Sequence, residues 1–135
     1  MRPYSLIERA SFYSAAFPRY PPLRADGRWL DGVWVLGNNY RGSGWYGAYP
    51  PAYVRRVTSM FPDAERLLHL FSGSLPLGAY VRFEQPGVDA EVQGAAPHLP
   101  FRNGAFDLVM ADPPYSKEDA ARYGSRMVNR RTVVR

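Results

Sequence analysis

The segment FDLVMADPPYS, residues 106–116, most narrowly limits how this chain can fold. Its strand, AFDLVMA at 105–111, follows the turn residues Arg102-Asn103-Gly104 and is apolar enough to lie inside a parallel sheet. Asp112 and two prolines then end the run, because proline fixes its own φ and has no N–H for a strand ladder. Ser116, followed three places later by Asp119, forms a capping box that starts a helix at Lys117, with Gly124 near its end. SRMVNRRTVVR then reads as the start of another helix.

Three further strands precede this one: RLLHLFSG at 66–73, YVRFE at 80–84 and a weak one in AEVQGAA at 90–96. Strands that end on small, acidic or polar residues predict an α/β sheet whose ligand crevice lies outside their C-terminal ends. That places Gly73, Glu84, the 94–96 loop and Asp112 on one rim. Residues 1–50 are rich in Pro, Gly, Tyr and Trp and show no helical periodicity beyond a turn or two. In RWLDGVWV, Asp31 and Gly32 have the composition of a two-residue hairpin turn, so a short β-hairpin is expected around them. In YPPAYVRRVTSMFPDAE, Pro51 suits a first helical turn, Val54, Val57 and Phe61 recur at helical spacing, and Pro62 closes the helix. The expected organisation is an aromatic extension with a hairpin over 1–44, then an α/β domain over 45–135.

A chain of 135 residues, 46% of them hydrophobic, fits a globular unit with a modest core. No segment approaches the roughly 18 apolar residues of a membrane span, and the N-terminus lacks a signal-peptide core, so a cytoplasmic location is expected. Cysteine is absent, and His69 and His98 are far apart, so no metal site is expected. Sixteen of the seventeen basic residues are arginine. Arg122, Arg126, Arg130, Arg131 and Arg135 fall in an acid-free tail that carries the whole net charge of +5. Such a cluster suits phosphate and points to nucleic acid as a partner; the same run also reads as a solvated helix face.

Taken together, these residues resemble the class I S-adenosylmethionine-dependent methyltransferases of Rossmann-like α/β fold. DPPY resembles the motif of the members that methylate the amino group of adenine or cytosine in DNA. The resemblance covers residues 45–131. It implies that the Asp112 side chain and the Pro113 carbonyl accept the two hydrogens of an exocyclic amine, with Pro114 stiffening the turn. Tyr115 would stack on a base extruded from the duplex. On the cofactor side it implies that Phe71, Ser72 and Gly73 pass beneath the methionine portion and that Glu84 receives the ribose hydroxyls. Tyr49 and Pro50 would pack on the methionine portion, and Leu99, Pro100 and Phe101 would line the adenine face. Each has a plainer alternative: a rigid turn for DPPY, a solvated strand end for Glu84, ordinary core for Phe71.

Three features depart from the family pattern. Ala95 stands in GAA where an acid is usual. Only ten residues separate Gly73 from Glu84, fewer than the dozen or so that a parallel crossover usually needs, so the first crossover helix is expected to shrink to a turn. The sequence ends where the family adds further strands, so the chain reads as an N-terminal half. A second copy or another chain would then cover the sheet edge. Three functions remain open: methylation of adenine N6 in DNA, a catalytically impaired remnant that binds nucleic acid, and methylation of a guanine amine in ribosomal RNA.

Overall fold

The computed structural model describes residues 2–34, 49, 52–73, 75–95 and 98–112. The chain divides into two compact units whose boundary along the chain, within these residues, falls between Ala64 and Glu65. The expected division at residue 44 and the helices expected beyond Lys117 fall outside the described residues. No helix among them is long and apolar enough to cross a membrane.

The first unit contains α1 (Leu6–Ala16), β1 (Arg24–Asp26), β2 (Trp29–Asp31) and α2 (Tyr53–Ser59). Helix α1 corrects the expectation of no sustained helix before residue 50. Its signal is a capping box: the Ser5 hydroxyl accepts from the Glu8 N–H at 3.3 Å, and the Glu8 carboxylate accepts from the Ser5 N–H at 2.7 Å. Ala10, Tyr13 and, just past the helix, Phe17 form the buried stripe. Ile7 stays 71% exposed, and an apolar residue on the outer face blurs the 3.6-residue period in the bare sequence.

The hairpin exists, but its turn lies four residues earlier than expected. Asp26 pairs with Trp29, so Gly27 and Arg28 form the two-residue loop, with Gly27 at φ 55°. Asp-Gly occurs twice in this stretch, and packing selects the first. That register turns Leu30 onto the Tyr13–Phe17–Met60 core. Gly32 serves close approach instead: a Cβ there would lie 2.4 Å from Leu23 Cδ2. Helix α2 covers the Val54–Val57 spacing but ends at Ser59 with Met60 as its C-cap, so Phe61 lies beyond the helix and Pro62 does not close it. Arg9 ties α1 to the segment after α2, donating to the Met60 carbonyl at 2.9 Å and to both Asp63 carboxylate oxygens at 3.0 and 3.1 Å.

The second unit is a four-stranded parallel sheet of β3 (Leu67–Leu70), β4 (Val81–Glu84), β5 (Val92–Gln93) and β6 (Leu108–Ala111), in the order β5-β4-β3-β6. All four expected strands are present. Leu68, Leu70 and Phe83 form the core on one face, and Leu99, Phe101 and Phe106 from the loop before β6 pack over it. That loop does the covering that a helix performs in most parallel sheets.

The links from β3 to β4 and from β4 to β5 hold no helix among the described residues. After β3 there is only a turn, in which the Leu75 N–H reaches the Ser72 carbonyl at 3.0 Å. A single buried side chain fastens both links. Arg82 donates to Glu91 at 2.8 and 3.1 Å, to Asp89 at 3.2 Å and to the Leu75 carbonyl at 2.8 Å. At the opposite end of the strands Asp107 binds the Arg66 guanidinium and accepts the backbone N–H groups of Glu65 and Arg66, setting β6 beside β3.

Candidate active site

Counted within its own unit, the sheet runs third, second, first, fourth strand. The chain builds outward from β3 on one side and then returns to place β6 on the other. In open α/β sheets ligands bind outside the carboxyl ends of the strands where the order reverses in this way. Here that point lies between the ends of β3 and β6.

Two residues with positive φ shape the β3 end, Phe71 at 58° and Gly73 at 53°. Positive φ is uncommon and costly for an aromatic residue, and such backbone clusters at functional sites. The bend is held by the Phe83 carbonyl, which accepts from the Phe71 N–H at 3.0 Å and the Ser72 N–H at 3.4 Å. Phe71 also packs against the Leu68–Leu70–Phe83 core, so it is at once core and loop. Ser72 is buried, with no hydrogen-bond partner for its hydroxyl among the described residues. Among the described residues nothing lies within 4 Å of where a Gly73 Cβ would stand, so these residues leave open space beside its backbone.

Glu84 ends β4 half-buried and is drawn into this loop. One carboxylate oxygen accepts from the Gly73 N–H and the other from the Gln85 N–H, both at 2.9 Å. A carboxylate offers about four lone-pair sites, so the two that remain can still receive a diol. The Glu84 carbonyl accepts from the Gly94 N–H at 2.9 Å, which brings in the end of β5. On the other side of β3, the Asp112 N–H donates to the Leu70 carbonyl at 3.4 Å. The structure therefore brings Phe71, Ser72, Gly73, Glu84 and Asp112 to adjoining strand ends.

Other candidate residues are placed differently. Ala95 is exposed and its carbonyl accepts from the His98 N–H at 3.0 Å. Leu99 and Phe101 spend their side chains on the core, while Pro100 is exposed. Tyr49 belongs to the first unit, where it stacks on Tyr53 with ring centroids 4.9 Å apart. Pro50, Pro113, Pro114, Tyr115, Arg122, Arg126, Arg130, Arg131 and Arg135 lie outside the described residues. Among the described residues no group of three or more His, Cys, Asp or Glu could hold a metal ion.

Sequence reasoning missed the opposite face of the sheet. His69 and Arg82 are paired in register on neighbouring strands and both are buried, with the Tyr80 ring edge-on to His69 at 4.7 Å. Only their positions in apolar strands hinted at this. Burial pushes the His69 imidazole down to about 4. The bonds from the Arg82 guanidinium, then its backbone N–H, hold Glu91 at about 2.

These shifts set a pH dependence. A histidine whose folded pKa is depressed contributes stability above its unfolded value, about 6.5, and loses it as pH falls towards about 4. Glu91 contributes above about 4.5 and loses its share as pH falls towards about 2. Urea denaturation should therefore show stability beginning to fall below pH 6.5 and falling further below 4.5. In His69→Phe the upper part of that loss should vanish; a variant that keeps the wild-type profile between pH 6.5 and 4.5 would exclude His69 as its source.

No protein-family model matches the sequence, and comparison with curated proteins and with solved structures gave no match.

Proposed function

We propose that this protein is an S-adenosylmethionine-dependent methyltransferase acting on an exocyclic amino group, adenine N6 in DNA. The observation that carries the reading is the reversal of strand order at β3. It sets the Phe71–Gly73 loop and Asp112, the first residue of DPPY, at neighbouring strand ends joined by a backbone hydrogen bond. One side of such a site suits a methyl donor and the other an acceptor of protons.

The residues fit the cofactor in part. The open backbone at Gly73 and the remaining acceptor sites of Glu84 suit a methionine chain and a ribose diol. Ala95 offers only a methyl group and a carbonyl to an adenine amino group. When bound, S-adenosylmethionine supplies an electrophilic methyl. The chain's own residues hold the target. The lone pair of an exocyclic amine is delocalised into its ring. Acceptors for both amino hydrogens, the Asp112 carboxylate and the Pro113 carbonyl, draw that nitrogen towards a tetrahedral shape. An ionised aspartate is acceptor-only, which suits the task. Tyr115 supplies an aromatic face for an extruded base, and the arginines of the C-terminal tail supply phosphate contacts.

The test is transfer of labelled methyl from S-adenosylmethionine to duplex DNA, followed by identification of the modified base. Label at adenine N6 is expected; label in RNA alone would replace DNA as substrate, and none in either would remove the reading. Exposed Ala95 favours a second reading, a nucleic-acid-binding module that has lost turnover. Calorimetry that finds no S-adenosylmethionine binding by a folded, monodisperse sample would select it.

A further inference from the structure

Arg56 of α2 is only 4% exposed, yet no carboxylate pairs with it among the described residues. The acids of the first unit are committed elsewhere or lie on the hairpin: Glu8 pairs with Arg2, Asp63 with Arg9, and Asp26 and Asp31 are on exposed strand positions. The sequence has no acid between Asp31 and Asp63, so residues 35–51 cannot supply one. Residues 1–64 hold eight arginines against four acids.

What surrounds the guanidinium is aromatic. Its carbon lies 4.1 Å from the Tyr20 ring centroid, 5.6 Å from Phe17 and 5.8 Å from Trp34. Nη1 donates to the Tyr13 hydroxyl at 3.2 Å, and buried Nε has no acceptor among the described residues. Ring faces attract a cation, but they do not satisfy N–H donors, and a buried charge without an opposite charge is disfavoured. Tyr20 is 48% exposed whereas Tyr13 and Phe17 are buried, so Tyr20 forms the outer cover. Arg55, with its guanidinium 5.2 Å from the Phe17 centroid, is a second cation on the ring that Arg56 also meets.

We propose that Arg56 is the anchor of a phosphate-class oxyanion site in the first unit, entered when the Tyr20 ring swings off the guanidinium. The planar fork of Arg56 matches two oxygens of such an anion, and Arg55 balances its second charge. Inorganic phosphate and the terminal phosphate of a nucleotide chain share this chemistry. The proposal does not depend on methyl transfer.

The test measures binding of inorganic phosphate and of a short 5′-phosphorylated oligonucleotide to the full chain and to Arg56→Met, with acetate as competitor. At least one phosphate probe should bind wild type, bind Arg56→Met at least about tenfold more weakly, and resist acetate; the probe that binds identifies the source. Binding of neither probe, or equal binding to both proteins, would overturn the site. Should Arg56→Met fail to fold, Tyr20→Ala decides, because uncovering the guanidinium should tighten phosphate binding several-fold and an unchanged affinity would overturn it.

Discussion

Asp112→Ala should lower methyl transfer by about a thousandfold or more while changing S-adenosylmethionine affinity by less than about threefold, on the scale seen when one preorganised polar group that acts in a transition state is removed. The asymmetry follows from where Asp112 sits. Its backbone is tied to the Leu70 carbonyl at 3.4 Å, and that bond survives replacement of the side chain. In the proposed site the cofactor would instead be met by the Phe71–Gly73 loop and Glu84, which hold one another through the 2.9 Å bond from the Gly73 N–H. On the proposed reading, removing the carboxylate therefore takes away an acceptor for the target amine and leaves the loop proposed for the donor in place. Single-turnover rates with calorimetry separate the two. An equal loss of rate and affinity would make Asp112 a structural turn residue and would withdraw the catalytic assignment.

Arg82→Met should destabilise the second unit by about 2 kcal/mol, the order expected when a buried guanidinium loses several hydrogen bonds to charged partners that themselves stay partly exposed, Glu91 at 34% and Asp89 at 90%. For so small a unit that lowers the melting midpoint by about 10 °C or more. Its size reflects what the guanidinium replaces. Two parallel connections run without helices among the described residues, and Arg82 is bonded to Leu75 in the first and to Asp89 and Glu91 in the second. Methionine keeps much of the stem's volume while deleting all of these bonds. Arg66→Met, at an ion pair whose arginine is 54% exposed, should shift the midpoint far less. Urea denaturation of both variants is the check, with amide exchange at Leu75 reporting on the first link. If Arg82→Met melts with wild type, the links are held by something else.

The strands and their order of appearance were legible because they rest on local signals. AFDLVMA, RLLHL and YVRFE are short apolar runs bounded by turn residues, and each formed a strand where it was expected. Asp112, Gly73 and Glu84 were legible as strand-end residues for the same reason. Helix α1 was legible in principle through Ser5 and Glu8, but exposed Ile7 hid its periodicity. The choice between two Asp-Gly pairs was not legible, since the burial of Leu30 and the tight packing of Gly32 on Leu23 decided it.

The sequence by itself determined where strands stop, which residues sit at their ends and which chemistry DPPY suggests, all from spacing and backbone preference along the chain. Only the tertiary structure decided that Glu84 bonds the Gly73 loop, that Leu99 and Phe101 serve the core, and that Arg82 fastens two helix-free links. It also decided that Arg56 is buried among rings with no carboxylate paired to it among the described residues. The physical reason is register: a hydrogen bond or an ion pair between residues seven to fifty places apart exists only once neighbouring strands and helices have set their alignment. No local propensity encodes that alignment.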